Sequence, residues 1–570
     1  VGWLGAAILS VGAGCYSTGE GPEPSPNALY FPVGILASPG GNALYVVNSD
    51  FDLQFNGGTV EAYSLRDIRD AALLPFWNPD AAAATPDPPC FGLGPNPNVI
   101  LYPGPCGPLD LNRPPPRSEP YGPIFRSAAK IGAFATDLIM ACRPPDDLTR
   151  GGSADCMRGG EANDEGARLF VPVRGDRSLT FFDVDDDREG GQQTFKLECG
   201  QTSNNGRCSD AFRTGIDPRE NTRGITMPAE PFGVAVSDRG ESIVVTHQSS
   251  GSGSVSLFSG RDRKGTVLGA KPRLEFVLSG LPGSATGIAA LPTPGVNAYR
   301  RFAETNYQPG FAVAYRGAAQ IDLFRFFDDA FAAPLRPFLQ RTSQHALPPT
   351  PNGFDSRDVV IDTSPSSDRA VCERTCHVDA VDRCLAACAL GPGDKRTECE
   401  DRCPSNAVSD CLLNCTAIPI GVYVSSRLPV SGGAGALLIG EVRIANGTGS
   451  NESLSFYDSV PVSTGPSRTV LGRIHDRRDP PGQFRPRVFV VCFDARAIVV
   501  YDPVERRIDG LIRTGRGPHA LVMDPVQPLA YVGHFTDSYI GLIDLDQTHA
   551  ATFETIVATI GIPVSPQGTK

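Results

Sequence analysis

The chain has 570 residues, a formal net charge of −12, 62 glycines, 52 prolines and 16 cysteines. The acidic balance excludes a nucleic-acid surface, which needs a basic stripe, and the cysteine content points to an oxidising compartment. The length allows several domains, but Gly/Pro richness and the scarcity of long amphipathic runs favour one large β body.

In chain order, residues 3–14 (WLGAAILSVGAG) are small and apolar and precede Cys15. The stretch is too short to span a bilayer, which takes about 20 helical residues. It suits the hydrophobic part of a secretory signal. Gly12-Ala13-Gly14-Cys15 resembles a bacterial lipoprotein signal, with Gly12 where that family usually has Leu and with no basic segment before it. The resemblance implies lipidation of Cys15. A cleaved signal with an unmodified cysteine is the alternative. Residues 1–15 are thus expected as signal and 16–29 as a Pro-rich tether. The resemblance also implies anchoring in the bacterial cell envelope, on the periplasmic or surface side of the outer membrane.

From residue 30 to 563, short β-branched runs alternate with Gly, Pro and Asn/Asp/Ser clusters, the pattern of short antiparallel strands. The pattern repeats. A Pro-x-Gly-Val type strand leads to a Tyr-Val-x-Asn type strand, then to a strand ending near Asp. Such units begin at Pro32, at Lys130–Met140, at Pro231, Thr286, Asp358, Thr469 and Pro518. Seven four-stranded sheets packed radially make an all-β, seven-bladed β-propeller. The last run, Thr555–Ile560, is expected to close the ring by pairing near Tyr30-Phe31. Residues 564–570 are left as a tail.

Gly517-Pro518-His519-Ala520-Leu521-Val522 and Tyr531-Val532-Gly533-His534 resemble the YVTN-repeat propellers, which include YncE-like and lactonase-type proteins. The resemblance is strongest over residues 487–562 and weaker in the first four repeats. It implies the fold and does not fix function.

The cysteines fall in the insertions. Cys90 with Cys106, Cys142 with Cys156, and Cys199 with Cys208 would each staple a loop. Cys372, Cys376, Cys384, Cys388, Cys399, Cys403, Cys411 and Cys415 are spaced by four, eight and four residues on either side of a Gly-Pro-Gly-Asp turn. Four-residue spacing puts cysteines on one helix face. The module, 372–415, resembles a twin CX3C helical hairpin. It is expected as a disulfide-stapled α-hairpin projecting from blade five. The pairing is either a ladder (372–415, 376–411, 384–403, 388–399) or two nested hairpins. Pro404 opposes a straight second helix. A zinc cluster is less suited to this spacing.

Candidate site residues come from the end of the second strand of each repeat: Asn48, Arg174, His247, Arg316, Arg427, Phe493 and His534. Equivalent positions in a radial fold share one mouth of the central channel. Three arginines and two histidines there would give a local cation excess suited to an anionic ligand or an acidic peptide. The competing reading pairs each arginine with a carboxylate of the next blade. His519 reads as a satisfied structural histidine, Asp502 and Asp544 as turn caps, Asp183–Asp187 as a solvated acidic turn over a calcium site, and Cys492 as a buried free thiol. No metal site is assigned. No Ser-His-Asp motif, Gly-rich phosphate loop or haem-attachment site stands out, so no catalytic residue and no cofactor is assigned. Two functions remain: an envelope-anchored binding or scaffold propeller with a protein or small anionic ligand as partner, and a lactonase-like hydrolase using the mouth arginines and histidines.

Overall fold

The computed structural model describes residues 21–561, apart from stretches within the links between strands, of which the longest are 78–94, 113–122, 143–165, 260–270, 293–307 and 389–414. Four consecutive strands form each of seven antiparallel sheets, a seven-bladed β-propeller. Blade 1 holds β1 (Pro32–Ala37), β2 (Ala43–Asn48), β3 (Thr59–Ser64) and β4 (Phe125–Lys130). Blade 2 holds β5 (Ile139–Cys142), β6 (Ala167–Val173), β7 (Ser178–Val184) and the two-residue β8 (Arg213–Thr214). Blade 3 holds β9 (Pro231–Val236), β10 (Ser242–His247), β11 (Gly253–Ser259) and β12 (Arg273–Leu281). Blade 4 holds β13 (Ala285–Ala290), β14 (Gly310–Tyr315), β15 (Gln320–Phe327) and β16 (Phe338–Ala346). Blade 5 holds β17 (Ser356–Ile361), β18 (Ile420–Ser426), β19 (Gly435–Arg443) and β20 (Ser453–Val462). Blade 6 holds β21 (Pro466–Ile474), β22 (Arg485–Cys492), β23 (Ala497–Asp502) and β24 (Arg507–Arg513). Blade 7 holds β25 (Pro518–Met523), β26 (Leu529–His534), β27 (Tyr539–Asp544) and β28 (Thr555–Ile560).

Sequence pattern explains the layers. The second strands ALYVVN, SIVVTH, GFAVAY and LAYVGH are buried at every position, as near-continuous apolar runs require when both faces are covered. Outer strands are amphipathic; β20 alternates between buried and exposed residues over much of its length. Neighbouring blades share their apolar faces, so one core cluster joins Leu44 and Val46 of blade 1 to Tyr531 and Leu542 of blade 7.

Two strand assignments differ from the sequence reading. Phe125–Lys130 is the outer strand of blade 1, and blade 2 begins its ladder at Ile139. The final strand, β28, does not pair near Tyr30-Phe31; among the described residues its one bridge to blade 1 is to Leu109 in the β3–β4 insertion. It pairs with β27 in its own sheet, Ile540 opposite Ile560. The ring closes instead through side chains and local bonds: Phe31 N–H donates to Ser538 Oγ (3.1 Å), Leu109 N–H donates to the Thr559 carbonyl (2.8 Å), Gly561 N–H donates to the Leu109 carbonyl (3.0 Å), and Arg69 pairs with Asp524 (3.0 Å).

Two helices are described, α1 (Leu65–Trp77) in the first insertion and α2 (Val381–Cys388) in the Cys-rich one. Neither is long and apolar enough to cross a membrane. Disulfides join Cys199 to Cys208 and Cys372 to Cys415. The second is the outermost rung of the ladder and excludes the nested pairing of Cys372 with Cys388. Cys106, Cys384 and Cys388 are also disulfide-bonded. Cys15, Cys90, Cys156, Cys376, Cys399, Cys403 and Cys411 lie outside the described residues, and the Cys142–Cys156 pairing with them.

The acidic run of blade 2 is not a solvated turn. Asp186 and Asp187 are buried. Asp187 accepts from Ser38 Oγ (2.6 Å) and from the backbone N–H of Gly40 (2.9 Å) and Asn42 (2.9 Å), fastening blade 2 to the β1–β2 turn. Asp502 and Asp544 do cap turns: Asp502 accepts from Val504 N–H (2.8 Å) and Asp544 from Asp546 N–H (2.9 Å). Cys492 is a buried free thiol, its pKa pushed up to about 12 by burial.

Candidate functional site

The channel mouth is built by one backbone motif repeated seven times. The residue after each second strand donates its N–H to the carbonyl of a residue just before the first strand. The donors are Ser49, Arg174, Gln248, Arg316, Arg427, Phe493 and Phe535, at 2.8–3.1 Å. The acceptors are Phe31, Phe134, Glu230, Ser284, Asp355, Gly465 and Gly517. Phe31, Phe134, Glu230 and Ser284 hold positive φ angles of 51–59°. That conformation costs a non-glycine residue about 1–2 kcal/mol, and strain of this kind gathers at functional sites.

This motif fixes the register. Asn48, His247 and His534 stand one residue before the mouth ring, level with Val173, Tyr315, Ser426 and Cys492. They face the packed interior. Asn48 Nδ2 donates to Thr59 Oγ1 (2.9 Å). His247 Nδ1 lies 3.0 Å from the Ala229 carbonyl and Nε2 2.7 Å from Ser256 Oγ. His534 Nε2 accepts from Gly515 N–H (3.1 Å), and its ring stacks on Tyr539 at 4.1 Å. Burial lowers these two histidines to about 4 and about 3, so both are neutral at pH 7.

Arg174, Arg316, Arg427 and Phe493 do belong to the ring, but the arginines are paired. Arg174 bonds Glu230, Arg316 Nε bonds Asp355 Oδ1 (2.8 Å), and Arg427 bonds Asp494. Arg357 shares Asp355 (2.6 Å), and Arg516 binds Asp537. Each partner comes from the next blade, its entry or the turn beside it. The expected local cation excess is therefore matched by carboxylates.

Deeper in the channel, Arg468 of blade 6 bonds Asp137 of blade 2, with Asp358 of blade 5 at 4.0 Å. Blades 2 and 6 are not neighbours in the ring, so this bond crosses the axis. Asp358 also accepts from Thr469 N–H (2.9 Å). Burial raises its pKa to about 6 against the opposing pull of Arg468. At the same level the backbone comes very close: a Cβ on Gly287 would lie 2.8 Å from Asp358 Cα, and one on Gly233 2.5 Å from the Thr286 carbonyl oxygen.

Above this cluster, on the side of blades 6, 7, 1, 2 and 3, lies a cavity of about 170 Å³. Its walls are Phe51, Phe134, Phe232, Phe493 and Phe535. Phe51 meets Phe535 edge-on at 5.2 Å and Phe134 at 5.9 Å, the arrangement aromatic quadrupoles prefer. Val33 and Ala135 fill between the rings, and Ser49, Thr136, Arg174 and His519 are the polar lining. Val33 and His519 are the extra residues of bulges at Pro32/Gly34 and Pro518/Ala520. A bulge re-aims a side chain, here toward the channel.

The mouth is thus two-sided, aromatic on one half and ion-paired on the other. The aromatic half escaped the sequence reading because Phe31, Phe51 and Phe134 sit in loops without periodicity. Shifting the strand-end alignment by one residue in blades 1 and 7 would have exposed Ser49 and Phe535. His519, expected to be satisfied, instead opens on the cavity. Among the described residues no group of three or more His, Cys, Asp or Glu could hold a metal ion.

No protein family and no curated protein matches the chain by sequence. Distant solved structures match. One is a Kuenenia stuttgartiensis hydrazine synthase, 10% identical, covering 90% of this chain and 96% of that one with a TM-score of 0.38. Another is Sqt1 of Saccharomyces cerevisiae, 8% identical, covering 96% and 92% with a TM-score of 0.40.

Proposed function

We propose that this protein is a binding propeller whose channel mouth holds a single aromatic ring. The observation that carries this reading is the phenylalanine-walled cavity. Its size suits one ring, since an engineered apolar cavity of about 150 Å³ takes up benzene. Phe51 keeps 51% of its surface exposed at the rim, where a bound ring would cover it. An anionic ligand has less support, because the mouth arginines already hold carboxylates.

Titration with p-cresol, followed by NMR of the aromatic side chains, tests the proposal. Binding should perturb Phe51 and Phe535. Phe51→Ala should weaken it about tenfold, or about 1.4 kcal/mol, with little change in melting temperature. Equal affinity in the two proteins, or no binding to the unmodified one, would sink the idea.

We also propose export and a lipid anchor on Cys15. Support comes from the Gly12-Ala13-Gly14-Cys15 phrase and from disulfides, which persist in oxidising compartments. A mass spectrum of the mature protein from a bacterial host should show a lipid-modified N-terminal Cys15. A mature chain carrying Cys15 unmodified would refute the anchor. A relation to YVTN-type propellers and to CX3C hairpins stays a proposal of the same kind, supported by the phrases at 517–522 and 531–534 and by the 372–415 spacing.

A further inference from the structure

His519 is the polar side chain of the cavity lining that makes no hydrogen bond at all among the described residues, although Arg174, paired through its Nη2, keeps its Nε without a partner. Ser49 Oγ donates to the Ala135 carbonyl (3.0 Å), Thr136 Oγ1 to the Phe232 carbonyl (2.7 Å), and Arg174 is held by Glu230. The His519 imidazole makes no hydrogen bond among the described residues, and lies edge-on to the Phe535 ring at 6.2 Å. The other mouth-level histidines, His247 and His534, both have partners. The open imidazole is therefore a feature of this position, set by the bulge that turns it into the channel.

We infer that His519 is the selectivity group of the cup, and that the ring it accepts carries a hydroxyl: the ligand is a phenol. The inference rests on the aromatic-cup reading above. Burial and the nearby Arg468 hold the imidazole uncharged at neutral pH. A neutral imidazole offers one N–H donor and one bare nitrogen acceptor. A phenolic hydroxyl can meet either. A plain ring would bury the imidazole without a partner, which is costly. A site built around a hydroxyl rejects the analogue lacking it more strongly than an apolar pocket rejects a missing methyl.

Affinities of the full chain for p-cresol, toluene and benzoate, measured by NMR titration at pH 7.5, test this. The unmodified protein should bind p-cresol at least tenfold more tightly than toluene, and more tightly than benzoate. His519→Phe should reduce the p-cresol to toluene ratio to about one. His519→Gln, which keeps a donor and an acceptor, should retain part of the preference, and a melting curve of each variant checks the fold. Phe51→Ala should weaken both ligands alike. No binding of any ring would overturn the cup itself. Toluene equal to p-cresol in the unmodified protein, a preference that survives His519→Phe, or benzoate binding most tightly would overturn the role of His519 while leaving the cup. N-acetyltyrosinamide distinguishes the source: binding at least as tight as p-cresol supports a tyrosyl side chain of a partner, and binding of p-cresol alone supports a free phenolic compound.

Discussion

Arg468→Met is expected to lower the unfolding free energy by about 3 kcal/mol at pH 7, the lower end of the cost of breaking a buried ion pair. The lower end applies because the Arg468 side chain keeps 30% of its surface accessible inside the channel. Asp137 and Asp358 are 8% and 9% exposed, so removal of the guanidinium leaves two carboxylates facing each other with little water. The pH dependence identifies the cause. Burial already raises Asp358 above its unfolded value, to about 6. A carboxyl whose folded pKa is raised favours the folded state at low pH and loses that contribution as pH rises through the folded pKa. Without Arg468 the Asp358 carboxyl should be raised further, because the pull of the guanidinium is gone. The variant should therefore recover stability, relative to the unmodified chain, as pH falls from 7 toward 4. Adding Asp137→Asn and Asp358→Asn should remove most of the deficit at pH 7. Chemical denaturation at several pH values measures this; a deficit independent of pH would show that the cluster is not held by charge.

Gly287→Ala should be destabilising by about 2 kcal/mol, within the range for overpacking. The added methyl would meet Asp358 Cα (2.8 Å), Val359 N (2.8 Å) and Asp358 C (2.9 Å). All three are backbone atoms of the first strand of the next blade, so no rotamer change relieves the clash. The blades would have to part at the axis. A control lies in Gly206→Ala: no atom stands within 4 Å of its Cβ position, but its φ of 83° adds strain without any clash. A larger loss of melting temperature for Gly287→Ala than for the control is the expected order. The reverse order would mean that blade 4 and blade 5 are less tightly apposed than their contact indicates.

The blades were readable because burial on both faces demands runs such as Ala497-Ile-Val-Val-Tyr-Asp502, and few other structures tolerate them. The closing strand was not, although a simple count points to it. Seven sheets of four need twenty-eight strands, and Thr555–Ile560 is the twenty-eighth. Ring positions were displaced by one residue in blades 1, 3 and 7, because there a polar residue, Asn48, His247 or His534, ends the second strand itself. In blades 2, 4 and 5 the conspicuous Arg174, Arg316 and Arg427 follow the true strand ends Val173, Tyr315 and Ser426. Charge type was legible and charge partner was not: Glu230, Asp355 and Asp494 lie 56, 39 and 67 residues beyond their arginines, in the neighbouring blade. Pairing within the Cys-rich insertion was legible at its outer rung, since cysteines at equal distances from a central turn meet when the chain doubles back.

Because the last strand stays at home, no strand is exchanged across the ends of the circle. The joint between the first and last blades combines greasy contact, such as Ile35 against the Gly533 backbone and Leu29 against Gly561, with the bond from Phe31 to Ser538, the bonds joining Leu109 to Thr559 and Gly561, and the Arg69–Asp524 ion pair. That joint runs straight through the aromatic cup, with Phe31 and Phe51 on one bank and Phe535 on the other. A guest seated there would touch both extremities of the circle at once, so recognition and closure would draw on the same handful of rings.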